Sequence, residues 1–510
     1  MTAFLRTNRA SGILAHITSL PSPYGIGDIG PSSVVFMDYL VAGAQKFWQI
    51  LPVGPTNLIF DNSPYMCTSA FAGSPLLISP ELLFEKRLIS KSILQAGRGF
   101  SPYKVNFEAV INYKLNILQR AFNTFISYNA AKDAHYQTFI EESEWLEDYA
   151  LFMALKDAHG GKAWFEWPQD LATRKKTHLE SAGKKLQKEA DYYRFEQFIF
   201  HTQWRELKRQ AGERNIKILG DIPIYIGLDS ADVWSNQHLF ELNPASLRPR
   251  RVAGVPPDYF SKTGQRWGNP LYRWNAKDPT IRDGLLDWWT KRFKTFFHLF
   301  DAARIDHFRG FESYWAVPEH EETAVNGSWV KGPGASFFRK IQAELGDLNI
   351  IAEDLGEITP AVIKLRDTLN FPGMKVLQFA FDGNQDNAFL PYNYTSSHCV
   401  VYTGTHDNDT TVGWFLSKNL DEIARKTVKK FANRALNDES GINEDLIYLA
   451  HSSSANLSIL PLQDLLGFGS DCRMNTPGVP TGNWQWRCAP QFLSTERAEW
   501  LKEITVRFGR

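Results

Sequence analysis

Two rhythms of apolar residues alternate along the chain. Short apolar runs recur at residues 13–20, 46–53, 216–226, 302–308, 349–355, 374–381, 398–405 and 456–462. Between them, charged and apolar residues repeat at helical spacing. Compact apolar runs separated by helical segments are the pattern of a parallel sheet buried on both faces. Eight strands close a (β/α)8 TIM barrel, so the expected class is α/β, one catalytic barrel domain over residues 1–510. Two connections are too long for simple crossovers. Residues 81–191, with helical segments at 114–128, 136–159 and 178–200, are expected to form an inserted helical subdomain. Residues 228–277 are rich in Pro, Gly, Trp and Arg and carry little regular pattern. A segment of that length is functional or disordered, and its aromatic content argues for a loop over the active site. Further helices are expected at 281–300 and 495–508.

The fourth run reads Asp301-Ala-Ala-Arg-Ile-Asp-His-Phe-Arg309 and places two opposite charges in an apolar strand. Arg304 and Asp306, two residues apart, share one face, and Ile305 takes the other. Parity likewise turns His307 away from Asp306. Burying two charges is costly unless they pair, and a structural ion pair is one reading. The favoured reading is chemical. The run ends where barrel enzymes expose catalytic groups, and a guanidinium would keep Asp306 ionised as a carboxylate nucleophile requires.

Other acids fall at the ends of other runs. Asp221 closes the third run, and Asp407 follows the seventh in Thr405-His-Asp-Asn-Asp409, where Asp409 reads as a cap for the next helix. In Ala352-Glu-Asp-Leu-Gly356, alternation lets only one of Glu353 and Asp354 face the barrel axis, and spacing alone does not choose. In a barrel these acids would converge on one mouth. Gly25-Ile-Gly-Asp-Ile-Gly30 matches a dinucleotide-binding spacing. Pro21 and Pro23 separate it from its strand, however, and the next run ends without an acid for a ribose, so these are turn glycines. Clustered carboxylates without a phosphate loop suit glycosidic bonds, where one acid attacks and another protonates the leaving oxygen. A divalent metal is the competing use. Arg304 beside Asp306 argues against a second cation, so no metal is expected.

Charge and composition narrow the partners. Lys plus Arg equals Asp plus Glu at 56 each, so no net field draws nucleic acid or an anionic membrane. Aromatic residues make up 14%, with 16 Trp, a surplus that suits stacking on sugar rings. Cys67, Cys399, Cys472 and Cys488 lack zinc or redox spacing and read as free thiols, hence a cytoplasmic protein. No apolar stretch is long enough for a membrane span.

Nine stretches occur in order: SGILAHITSLPSPYGIGDIG (11–30), SPY (63–65), FAGSPLLI (71–78), LGDIPIYI (219–226), GVPPDYFSKTGQRWGNPLY (254–272), ARIDHFRG (303–310), AEDLG (352–356), GTHDNDT (404–410) and RMNTPG (473–478). Together they resemble the 4-α-glucanotransferases, also called amylomaltases or disproportionating enzymes; the helical insert matches least. The resemblance implies a barrel with inserted subdomains, needing neither metal nor organic cofactor. It implies Asp306 as nucleophile, Glu353 as general acid/base and Asp407 as a third carboxylate gripping sugar hydroxyls. Arg304 and His406 would flank them, and Tyr65, Asp221, Tyr259, Gln265, Trp267 and Asn475 would line a glucan groove. The partners would be an α-1,4-glucan donor and a glucose or malto-oligosaccharide acceptor. Retention of configuration would place the carboxyls of Asp306 and Glu353 roughly 5–5.5 Å apart. Burial near other acids should raise Glu353 so that it holds its proton. Tyr259, Phe260 and Trp267 would exclude water and offer stacking surface. An α-glucan hydrolase and a non-catalytic glucan-binding protein are the competing readings.

Overall fold

Eight parallel strands close a barrel in which each strand is hydrogen-bonded to the next along the chain and the last returns to the first. The computed structural model describes residues 9–95, 99–128, 132–257, 261–432 and 441–510. In chain order the strands are β1 Ala10–Leu14, β2 Phe47–Gln49, β3 Lys217–Pro223, β4 Arg251–Val255, β5 Gln265–Pro270 and β6 Ala302–Asp306. They continue with β7 Ser313–Pro318, β8 Ser328–Lys331, β9 Ile350–Ala352, β10 Gly373–Val376, β11 Cys399–Tyr402 and β12 Leu457–Pro461. The barrel order is β1-β2-β3-β6-β9-β10-β11-β12, so each of the eight apolar runs supplies one barrel strand.

The strands are shorter than the runs. β1 ends at Leu14, and the rest of its run includes a short 3-10 turn, Ile17–Ser19, that is also buried. Burial, which the apolar pattern reports, continues past the last ladder bond into the loops of the carboxyl mouth. Parallel pairing sets neighbours side by side there: Asp221 of β3 lies opposite Arg304 of β6, and Pro223 opposite Asp306.

Residues 228–277 are more regular than expected. They contribute β4 and β5 to a four-stranded antiparallel sheet of order β5-β4-β7-β8, whose other half, β7 and β8, follows β6 in the chain. Gly and Pro within β4 and β5 hid the alternation. Gly254 is required where it stands, because a Cβ there would lie 2.5 Å from the Gln265 carbonyl oxygen of the neighbouring strand. β7 does alternate: Tyr314 and Ala316 are buried, Ser313 and Trp315 half-buried.

The described residues of 81–191 are mainly helical. Asn106 caps Phe107–Ser127, Asp133 caps Ala134–Glu142, and Leu146–Ala158 follows. The long helix Gln187–Glu213 leads back to β3, and its Trp204 indole donates to the Leu299 carbonyl, 2.8 Å. Helices Pro279–Leu299 and Thr495–Arg507 also form. Thr410, not Asp409, caps Thr411–Leu416: its hydroxyl accepts the Gly413 N–H at 3.0 Å, while Asp409 binds the Thr410 N–H and Ser470. Among the described residues, no helix is long and apolar enough to cross a membrane.

Candidate active site

The carboxyl ends of β3 and β6, with the loops that follow β2, β9, β11 and β12, bring Tyr65, Asp221, Arg304, Asp306, Glu353, His406, Asp407 and Asn475 together. Arg304 is the hub. Its Nε donates to Asp221 Oδ2 at 3.0 Å, and its Nη2 donates to Asp306 Oδ1 at 2.8 Å and towards Tyr65 Oη at 3.3 Å. Asp221 and Asp306 divide this cation unequally in depth: the Asp221 side chain is 0% exposed and that of Asp306 30%. The Asp221 side chain is thus buried beneath Arg304 and Tyr65, deeper than that of Asp306. Asp221 pairs with Arg304 two residues before β3 ends, one level below the Pro223–Asp306 pair at the rim.

Tyr65, in the loop after β2, donates to Asp221 Oδ2 at 2.7 Å, and its oxygen lies 2.9 Å from His406 Nε2. A phenol has one proton, so with Asp221 taking it the Nε2 of His406 must carry the hydrogen of that second contact. The same Nε2 is 3.4 Å from Asp407 Oδ2. Burial lowers the His406 pKa, so the ring is neutral at pH 7 with its proton on Nε2. Asn475, after β12, donates from Nδ2 to Asp407 Oδ1 at 2.6 Å, and Arg473 donates to the Asp407 carbonyl at 2.6 Å. Arg473 was not singled out from sequence, where its only signal was its place beside Asn475.

Register settles the choice between the adjacent acids after β9. Glu353 turns towards β6: its Oε2 accepts the His307 N–H at 2.7 Å and its Oε1 the Leu355 N–H at 3.1 Å. Asp354 turns the other way, onto Arg366 at 2.5 Å and the Met374 N–H at 2.7 Å. β6 ends at Asp306, so strand parity stops there and does not govern His307. Trp267 of β5 meets the His307 ring edge-on, with centroids 4.8 Å apart, and Gln265 accepts the Trp267 indole N–H at 3.2 Å. Tyr259 and Phe260 lie outside the described residues.

The electrostatics follow from one cation among several acids. Burial alone would lower the Arg304 guanidinium, but Asp221, Tyr65 and Asp306 outweigh it and keep it charged. Burial pushes Glu353 up to about 7, against Arg304 and the two amide N–H groups. Asp306 is raised as well: burial and the neighbouring acids Asp221, Glu353 and Asp407 outweigh the downward pull of Arg304. The cluster thus retains a proton near neutrality. Direct contact with Arg304 puts the negative charge on Asp306 and leaves the proton with Glu353. Among the described residues, no three His, Cys, Asp or Glu side chains form a group that could hold a metal ion.

A closed parallel barrel with three carboxylates and one arginine at its mouth defines an enzyme of the glycosidic-bond class. The profile of the family described as 4-alpha-glucanotransferase matches residues 15–493, and the chain belongs to that family. It is 49% identical to the 4-alpha-glucanotransferase of Synechocystis sp., over 98% of each chain. With that of Thermus thermophilus it shares 45% identity, over 97% of this chain and 98% of the relative. Its fold is similar to that of the amylomaltase from Streptococcus agalactiae solved in complex with acarbose, with a TM-score of 0.93 and 38% identity over 98% of this chain and 99% of the other.

Proposed function

We propose that the chain moves segments of an α-1,4-glucan onto the 4-hydroxyl of glucose or a malto-oligosaccharide by a retaining double displacement. Asp306 attacks the anomeric carbon as the bond to the leaving oxygen breaks, and Glu353 gives that oxygen its proton. The released glucan end departs, leaving a glucosyl ester on Asp306. The acceptor 4-hydroxyl then gives its proton to Glu353 and displaces Asp306, so that two inversions restore the original configuration. Asp407, fixed by Asn475 and facing the His406 N–H, grips sugar hydroxyls as the ring flattens towards a cation-like transition state. Arg304 and His406 flank these carboxylates, and Tyr65, Gln265 and Trp267 line the glucan groove. The reaction as written consumes no cofactor.

The observation that carries this reading is the unequal pair: Asp306 in contact with the Arg304 guanidinium at 2.8 Å, and Glu353 held by the His307 and Leu355 N–H groups. Incubation with maltotriose tests it. A ladder of longer glucans plus glucose is expected. Rising reducing ends without longer products would mean water is the acceptor and would assign a hydrolase.

Residues 81–191 and 228–277 are inserts on one barrel and not independent domains. In support, buried Tyr149, Phe152, Trp164 and Trp234 share one apolar cluster with Ile222, Ala303 and Ile305 of the barrel. Four free cysteines suit a reducing, cytoplasmic setting. Cell fractionation tests that placement, and recovery from an oxidising compartment would overturn it.

A further inference from the structure

β6 stops at Asp306 because the next residue leaves the extended conformation. His307 lies at φ 51° and ψ 48°, a left-handed geometry that side-chain-bearing residues adopt rarely and that persists only where the surroundings hold it. The turn aims the His307 N–H at Glu353 Oε2, 2.7 Å away, and the Phe308 N–H at the Glu353 carbonyl oxygen, 3.2 Å away. The backbone leaving the nucleophile thus holds the group assigned above as acid/base.

Both outer strands of the antiparallel sheet bear on this turn. Trp267 of β5 packs edge-on against the His307 ring. Trp329 of β8 lies under Arg309, whose guanidinium carbon is 3.8 Å from the ring centroid. Arg309 is itself 5% exposed, and its Nη1 donates to the Glu357 carbonyl, four residues beyond Glu353. A planar guanidinium can cover an indole face while one edge N–H reaches a carbonyl; an ammonium cannot do both.

We propose that Arg309 is a positioning residue that ties the loop carrying Glu353 to the antiparallel sheet through Trp329, and so fixes the geometry of proton donation. This rests on the acid/base reading of Glu353. Loss of the clamp leaves the carboxyl in place but misaimed, and a shift of about 1 Å at a reacting group costs up to about 100-fold in rate.

The test uses the full chain, with folding checked by circular dichroism and thermal midpoint, and two donors. Maltotriose needs its leaving oxygen protonated. α-Maltosyl fluoride with azide as acceptor needs neither acid nor base. Arg309→Lys should lower kcat on maltotriose by about 10- to 100-fold, with KM and the fluoride–azide turnover within about threefold of the parent. It should also displace the alkaline limb of the maltotriose pH profile. Trp329→Leu, which removes a partly exposed ring and leaves buried Arg309 intact, should show the same pattern at smaller size, and it decides alone if Arg309→Lys does not fold. Equal losses on both donors, or an unchanged kcat on maltotriose, overturn the proposal. Glu353→Gln is the control: if it does not spare the fluoride–azide reaction, the acid/base assignment fails whatever Arg309 does.

Discussion

Two of the buried ion clusters among the described residues do different work. In the first, Lys114 Nζ meets Asp28 Oδ2 at 3.1 Å, both side chains 1% exposed. Backbone supplies the other contacts: Gly30 N–H donates to Asp28 Oδ1 at 3.0 Å and Lys114 donates to the Ile78 carbonyl at 2.6 Å. One cation meets one anion, both Asp28 oxygens and two of the three Lys114 N–H groups are bonded, and neither side chain is open to a substrate. At the mouth, Arg304 faces two anions, one sealed and one open. The open carboxylate keeps a lone pair towards the groove while the sealed one anchors the guanidinium. A buried ion pair becomes chemistry when the charges are unequal in number and one of them faces substrate.

Substitutions can break this contrast, the largest effect first. Asp306→Asn should abolish transfer from maltotriose, with kcat falling roughly 10⁴-fold or more while the thermal midpoint stays near that of the parent. Lys114→Met should do the reverse. It leaves Asp28 charged and unpaired, a loss of about 3–5 kcal/mol visible as a lower thermal midpoint, with kcat of the folded protein unchanged. If Lys114→Met instead lowered kcat at unchanged stability, the two clusters would not be separable in this way.

Acid–base behaviour sharpens the comparison further. Glu353, pushed up to about 7, must hold its proton to act as acid, so the glucosylation rate should fall as pH rises through about 7. A limb lying near the ordinary glutamate value would remove Glu353 from that role. A third site has an acid and no cation among the described residues. Glu196 is 2% exposed, its near partners are the Gln197 amide at 3.5 Å and the Tyr192 hydroxyl, and burial pushes it up to about 8. Its folded pKa is raised, so its share of stability is complete below about 4.5 and is lost as pH rises to about 8. Glu196→Gln should therefore match the parent at pH 4.5 and exceed it at pH 8 by on the order of a few kcal/mol. A gap in thermal midpoint that did not widen with pH would refute that assignment.

The same contrast shows what the sequence by itself determined. Eight apolar runs sufficed for the barrel, because strands of a parallel sheet covered on both faces must be apolar along their length. Acids at the ends of those runs pointed to the mouth, and two-residue spacing paired Arg304 with Asp306. The glycines at 27 and 30 hold no dinucleotide turn: a Cβ on Gly27 would lie 1.9 Å from the Ile17 carbonyl oxygen, Gly30 is the extended N-cap of the helix Pro31–Ala42, and Asp28 between them serves Lys114.

Depth, register and long-range partnership were decided only by the tertiary structure. Whether Glu353 or Asp354 faces Asp306 depends on where β9 leaves the barrel, which one residue of slippage would invert. That Asp221 is sealed follows from Tyr65 and Arg304 covering it, residues 156 and 83 positions away. The antiparallel sheet draws two strands from each side of the catalytic run, and Gly and Pro in β4 and β5 erased the local alternation that would have announced it. His307 was governed by a turn that strand parity does not describe. Local pattern reports which residues must leave water, whereas the neighbours they meet there depend on how the whole chain closes.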